Sequence, residues 1–198
     1  MPDRRADATF FAVEAVPLAR RLLGSVLVRC TGDGHRLSGR IVEVEAYLGA
    51  EDRGSHARGG LRSARNESMY ARGGTLYVYF TYGMHHCLNL VSGKAGSPQA
   101  VLIRALEPLE GLDSMEANRR KSRRVELCSG PAKLCQALDV SLAMNGLDLV
   151  SSRTLWVEPA AEPTRTVRSG PRIGLGCDDP WRSKPLRFWV ADSPWLSR

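Results

Sequence analysis

Behind Pro17, the apolar residues Leu18, Leu22 and Leu23 recur at helical spacing and Gly24 closes the run, so the pattern opens on a short amphipathic helix with proline in its first turn. Val26-Leu-Val28 and Gly39-Arg-Ile-Val-Glu-Val-Glu-Ala-Tyr47 follow, separated by the turn-rich Thr31-Gly-Asp-Gly-His35, and predict an antiparallel strand pair. Residues 48–74, rich in Gly, Arg, Ser and Asn, show no period. A loop of that length in a compact domain is usually functional or holds short helices. Residues 75–81 and 87–91, β-branched and aromatic, predict a hairpin with Tyr82-Gly-Met84 near its tip. A strand over 100–106, helices over 112–120 and from Ser129-Gly-Pro131 onward, and strands over 155–158 and 186–190 complete the reading. With no internal repeat, this describes one α+β domain over residues 1–198: a mostly antiparallel sheet with surrounding helices, and residues 1–8 flexible.

Strand alternation places Ile41, Glu43, Glu45 and Tyr47 on one face and Val42, Val44 and Ala46 on the other, the second being the expected core. Two carboxylates on such a strand need either a wet edge or a polar cleft, because burying an unpaired carboxylate is costly. Tyr77 and Tyr79 share a face opposite Leu76, Val78 and Phe80, and serve either as core residues or as stacking platforms. Tyr82 differs, since a hairpin tip offers little protein to cover its ring; a wedge between base pairs is one use of such a residue. Arg104 interrupts an apolar strand and must meet a carboxylate or a phosphate. Ser129, Gly130 and Lys133 at a helix start suit either a phosphate or plain capping.

Charge narrows the partner. The 28 Lys and Arg against 21 Asp and Glu give +7, the footprint of a protein that meets phosphates or an anionic membrane. Residues 119–124 hold five cations in six positions, a run equally at home in a solvated loop or on a nucleic-acid backbone. Five cysteines, none spaced as CxxC, predict neither a disulfide framework nor a structural zinc. No long apolar run marks a signal or anchor, which predicts a soluble protein of a reducing compartment, cytoplasmic (nucleoid-associated) or nuclear rather than secreted. HExxH, HxE with a later CxxC, Walker A, GxSxG and GxGxxG are all missing.

Taken together the residues resemble the alkyladenine (3-methyladenine, or methylpurine) DNA glycosylase family. The resemblance runs in order from Leu18-Ala-Arg-Arg-Leu-Leu-Gly24 through Val42-Glu-Val-Glu-Ala-Tyr-Leu-Gly49, Glu51-Asp52, His56, Arg65-Asn66, Gly74-Thr-Leu-Tyr-Val-Tyr79, Tyr82-Gly-Met84 and Asn89. It continues through Arg104-Ala-Leu-Glu-Pro-Leu-Glu-Gly111, Leu127-Cys-Ser-Gly-Pro131, Lys133-Leu-Cys-Gln-Ala-Leu138, Arg172-Ile-Gly-Leu-Gly176, Lys184-Pro-Leu-Arg-Phe188 and Ser193-Pro-Trp195. It implies a metal-free, cofactor-free, monofunctional enzyme that works as a monomer on double-stranded DNA carrying a damaged purine.

Position by position, the resemblance makes Glu45 the general base for a water, with Arg104 and the backbone carbonyl of Ile173 helping to hold that water. Tyr47, His56 and Tyr79 become the walls around an extruded base, and Asn89 the residue that disfavours the 2-amino group of guanine. Tyr82, with Met84 beside it, becomes the wedge of a DNA-intercalating hairpin. Ser129, Gly130 and Lys133 are candidate backbone contacts, and Glu43 is left without a role. The rival readings are a non-catalytic module stacking bases on Tyr77 and Tyr79, and a metal-dependent nuclease with Glu43 and Glu45 as ligands.

Overall fold

The computed structural model describes residues 5–162, 164 and 166–197. Asp7 caps the short helix α1 (Ala8–Phe11) through its side chain, and α2 (Ala15–Leu22) follows with Pro17 in its first turn. α2 buries Ala15, Leu18, Ala19 and Leu22 on one stripe, the face that the spacing predicted. Of the amino-terminal segment expected to be flexible, residues 1–4 lie outside the described residues. The chain is docked from Ala6 onward, because Ala6 is buried and its N–H donates to Val157 O at 2.8 Å.

The strands are β1 (Val26–Cys30), β2 (Arg36–Tyr47), β3 (Leu76–Thr81), β4 (His85–Ser92), β5 (Gln99–Glu110), β6 (Leu155–Glu158), β7 (Val167–Gly170) and β8 (Arg187–Val190). They form one sheet in the order β3-β4-β5-β2-β1-β6, every pairing antiparallel, with β8 joining β2 and β7. β2 is therefore central. One side of it pairs with β5 along its length, while the other pairs first with β1 and then, over residues 43–45, with β8. That removes the wet-edge explanation for its carboxylates.

Helices α3 (Leu112–Arg119), α4 (Arg124–Leu127) and α5 (Pro131–Ala137) pack beside the sheet. Leu134 and Leu138 join Leu18, Leu22, Val44, Leu88, Val101 and Ile103 in the main core. The opposite sheet face carries a smaller cluster of Ala57, Met69, Tyr77, Val91 and Ala100, with Tyr70 and Tyr79 against it. The aperiodic stretch between β2 and β3 contains 3-10 turns at Arg58–Gly60 and Glu67–Tyr70 and lies over this second face.

The predicted alternation of β2 fails at one place. Ile41 lies in the main core with Val44 and Ala46, so it does not share a face with Glu45 and Tyr47. The ladder explains this: Ile41 pairs with Leu106, Glu43 with Ala105 and Val44 with Ile103, which leaves Val42 on β2 and Arg104 on β5 each without a cross-strand partner. Such bulges shift the facing of side chains and re-aim them locally.

Candidate active site

The bulges bring Arg104 against both carboxylates of β2. Arg104 Nε donates to Oε1 of Glu43 at 3.1 Å, and its Nη1 lies 3.1 Å from Oε1 of Glu45. Both carboxylates are fully buried. Glu45 also accepts the backbone N–H of Ile173 at Oε1, 2.7 Å, and the hydroxyl of Tyr47 at Oε2, 2.9 Å. A carboxylate offers roughly four lone-pair directions, so these two hydrogen bonds and the Arg104 ion pair hold Glu45 firmly and leave a lone-pair direction on Oε2 for a further partner. The contact at Ile173 is thus through its N–H, with the residue itself on the cavity wall.

Glu45 stands in the wall of a cavity of about 650 Å³. Arg104, Ile173, Tyr47, His56, Tyr79 and Asn89 line it too, so the residues expected for catalysis and base binding converge from β2, β3, β4, β5 and two loops. That volume suits a small, flat, partly apolar ligand. Tyr79 and His56 meet edge to face with ring centroids 4.6 Å apart, and Tyr77 lies 5.5 Å from Tyr79. Asn89 donates from Nδ2 to Tyr77 O at 3.1 Å.

Burial sets the protonation of these walls. It pushes the Tyr47 phenol well above its ordinary range, with the negative Glu45 adding to the effect. Burial likewise raises Tyr79, and raises Tyr77 to about 12. All three phenols remain neutral donors at neutral pH. His56 moves the other way: burial, then the charges of Arg65 and Arg58, lower it from 6.5, so the ring is neutral at pH 7.

Three supports carried no distinct signal in the sequence. Arg172 makes a bidentate pair with Asp52, Nη1 to Oδ2 at 2.5 Å and Nη2 to Oδ1 at 2.7 Å, with neither side chain exposed. Its Nη1 also donates to Ala46 O, and its guanidinium sits 4.6 Å from the centre of the Tyr47 ring. The pair therefore anchors the residue that precedes Ile173 and backs one aromatic wall. Asn66 is buried and donates to the carbonyls of His56 and Leu61, holding the loop that carries His56. Ser197 binds Glu43 and Arg104 from the far end of the sequence. Asp52, Asn66 and Arg172 fell within matched segments, but nothing in the spacing joins residues 120 positions apart.

Tyr82 occupies the β3–β4 turn at the cavity mouth, 85% exposed, with φ of 52°. A tyrosine in the left-handed region is strained, and the following Gly83 adopts φ of 66° at no such cost. Met84 is also exposed but lines a separate groove with His85 and His86. Ser129, Gly130 and Lys133 are not brought into the cavity; their neighbour Pro131 reaches its lining, and Lys133 Nζ lies 3.5 Å from Ser129 Oγ. The 119–124 run lies apart from the cavity, with Arg119 on Gln136 and Arg123 on Glu126. Glu43 is not a cavity residue, because Arg104, Arg187 and Ser197 occupy both its oxygens. A paired-carboxylate metal site with Glu45, as a nuclease needs, is thereby disfavoured.

Comparison with known proteins fits this geometry. Residues 9–194 match the family described as methylpurine-DNA glycosylase. The chain is 48% identical to the DNA-3-methyladenine glycosylase of Mus musculus and 47% identical to that of Homo sapiens, covering 98% of this chain in each case. It spans 61% of the mouse protein's length and 68% of the human one's. A protein of Desulfitobacterium hafniense (strain Y51) named for the same base is 40% identical, over 98% of both chains. With the match extending across nearly every element that builds the cavity, the chain belongs to the methylpurine-DNA glycosylase family.

Proposed function

We propose that this chain is a monofunctional DNA glycosylase that extrudes an alkylated or deaminated purine from duplex DNA and hydrolyses its bond to the sugar. The substrates are bases of the 3-methyladenine, hypoxanthine and ethenoadenine class, and the product is an abasic site for base-excision repair. The observation that carries the reading is Glu45: a buried carboxylate held by the Ile173 N–H, Arg104 and the Tyr47 hydroxyl, with one lone-pair direction left, in the wall of an aromatic cavity.

In the reaction, a water accepted by Glu45 attacks C1' of the extruded nucleotide. Its oxygen bonds to C1', its proton passes to Glu45, and the glycosidic electron pair leaves with the purine. As that bond breaks, positive charge grows on the sugar, and the nearby carboxylate stabilises it. Arg104 and the backbone carbonyl of Ile173 orient the water. Tyr47, His56 and Tyr79 stack around the base, which accommodates a flat cation or a neutral ring alike, and Asn89 disfavours the 2-amino group of guanine. Tyr82 enters the minor groove and fills the gap left in the duplex with Met84 beside it, and Ser129, Gly130 and Lys133 contact the backbone. The enzyme acts as a monomer in a compartment that holds DNA; no helix among the described residues is long and apolar enough to cross a membrane.

Duplexes carrying one hypoxanthine or one ethenoadenine, incubated with the protein in excess chelator, test this reading. Free base should appear, and strands should break only after alkali. Strand breaks without alkali, or loss of activity with chelator, would support a nuclease; lesion binding without product would support the stacking module.

A further inference from the structure

Glu43 has no place in the chemistry above, yet it is fully buried and more heavily bonded than the general base. Its Oε1 accepts Arg104 Nε at 3.1 Å, Arg187 Nη1 at 3.3 Å and the Ser197 hydroxyl at 2.8 Å, and its Oε2 accepts the Ser197 N–H at 2.6 Å. Ser197 Oγ in turn accepts from Arg104, from Nε at 3.4 Å and from Nη2 at 3.3 Å. Nε and Nη2 are the two donors on one edge of a guanidinium, one of the edges that can grip a carboxylate bidentately. Glu43 and Ser197 occupy that edge. Nη1 is the nitrogen that faces Glu45.

We propose that Glu43 and Ser197 are positioning residues that hold Arg104 by its Nε–Nη2 edge, and so limit its grip on Glu45 to the single Nη1 contact. Without that restraint the guanidinium is free to turn and meet Glu45 as a fork, covering the lone pair that the water needs. The strand bulge at Arg104 makes the restraint necessary, since it places one arginine within reach of two carboxylates. Ser197 brings the restraint from 154 positions beyond Glu43, so a distant tail segment completes the catalytic centre. This inference rests on the glycosylase reading for its rate effects but not for its geometry.

Glu43→Gln, Ser197→Ala and Ser197→Thr separate the possibilities. Three quantities are compared with wild type: the single-turnover excision rate on a hypoxanthine duplex, the affinity for that duplex, and hydrogen exchange at the Arg104 Nε–H followed by NMR. Glu43→Gln should lower the rate about 100-fold and Ser197→Ala about 10-fold, effects in the range of misplaced catalytic groups, with affinity within about 3-fold. Ser197→Thr keeps the hydroxyl and the N–H, and should retain a rate within about 3-fold of wild type. The Nε–H should exchange faster in Glu43→Gln and Ser197→Ala but not in Ser197→Thr. Ser197 is only half-buried, so its variants remain informative if Glu43→Gln does not fold.

Unchanged rates and exchange in Ser197→Ala, or Ser197→Thr as impaired as Ser197→Ala with affinity falling alongside, would overturn the proposal. A wild-type protein that releases no base overturns the glycosylase reading instead, and Arg104 exchange then decides the restraint by itself.

Discussion

The Tyr47 hydroxyl donates to Oε2 of Glu45 at 2.9 Å, from two positions along the same strand. One residue thus serves as a wall of the cavity and as a brace for its carboxylate. Tyr47→Phe separates the two, keeping the ring while deleting the donor. A hydrogen bond to a charged group contributes about 1.5–3 kcal/mol, so excision should fall about tenfold or more while lesion affinity stays within about threefold. Single-turnover rates alongside equilibrium binding check this, and an unaltered rate would remove Tyr47 from any role but stacking.

Tyr82 projects from the β3–β4 turn, almost uncovered. Tyr82→Ala should weaken lesion-duplex binding about tenfold or more, in line with the roughly 1–3 kcal/mol of an aromatic stacked on a base. Stability should change by less than about 0.5 kcal/mol, since the ring touches little and alanine bears the same left-handed backbone. Thermal unfolding with duplex titration measures both. A large loss of stability, or unchanged binding and excision, rules out the wedge.

The Asp52–Arg172 pair is sealed from solvent. Deleting one partner of such a pair leaves an uncompensated buried charge, so Asp52→Ala should destabilise the protein by about 3–5 kcal/mol in urea unfolding. Excision should fall as well under conditions where the variant is folded, because Arg172 anchors the loop that offers the Ile173 N–H to Glu45. A loss below about 1 kcal/mol, typical of an exposed pair, would mean that the loop holds itself.

His56 is neutral at pH 7 because burial and the charges of Arg65 and Arg58 lower it from 6.5. Its folded value lies below its unfolded one, so as pH falls the unfolded chain takes up the proton first. The stability contribution is complete above 6.5 and is lost as pH drops from there through the folded value. His56→Gln should remove that part of the pH slope. In the same window, affinity for cationic alkylpurines should weaken more than affinity for neutral ethenoadenine, since a protonated ring repels a cation. An NMR titration of the ring with a midpoint at or above 6.5 would contradict this.

The α+β class, the hairpin with Tyr82 at its turn and the helix at Leu18 were legible because each has a local signature: period, turn chemistry or capping. The convergence of Glu45, Tyr47, His56, Tyr79, Asn89, Arg104 and Ile173 was legible only through family resemblance. What stayed hidden is non-local. The bulges that put Ile41 in the core and Arg104 between two carboxylates depend on cross-strand register, which a strict two-residue alternation does not encode. The short β7 strand, polar and solvent-facing over much of its length, carries little apolar pattern at all. The Asp52–Arg172 pair and the Ser197 contacts join parts of the chain that only tertiary folding brings together.

If Glu45 activates the water, Glu45→Gln should remove the chemistry and leave binding in place. The amide matches the carboxylate in size but does not accept a proton at neutral pH. Single-turnover release of hypoxanthine from a duplex, measured beside affinity for the same duplex, should show a rate loss of about 100-fold or more with affinity retained. A Glu45→Gln protein that still releases base within about tenfold of the wild-type rate removes Glu45 from the role of general base, because a general base contributes more than that.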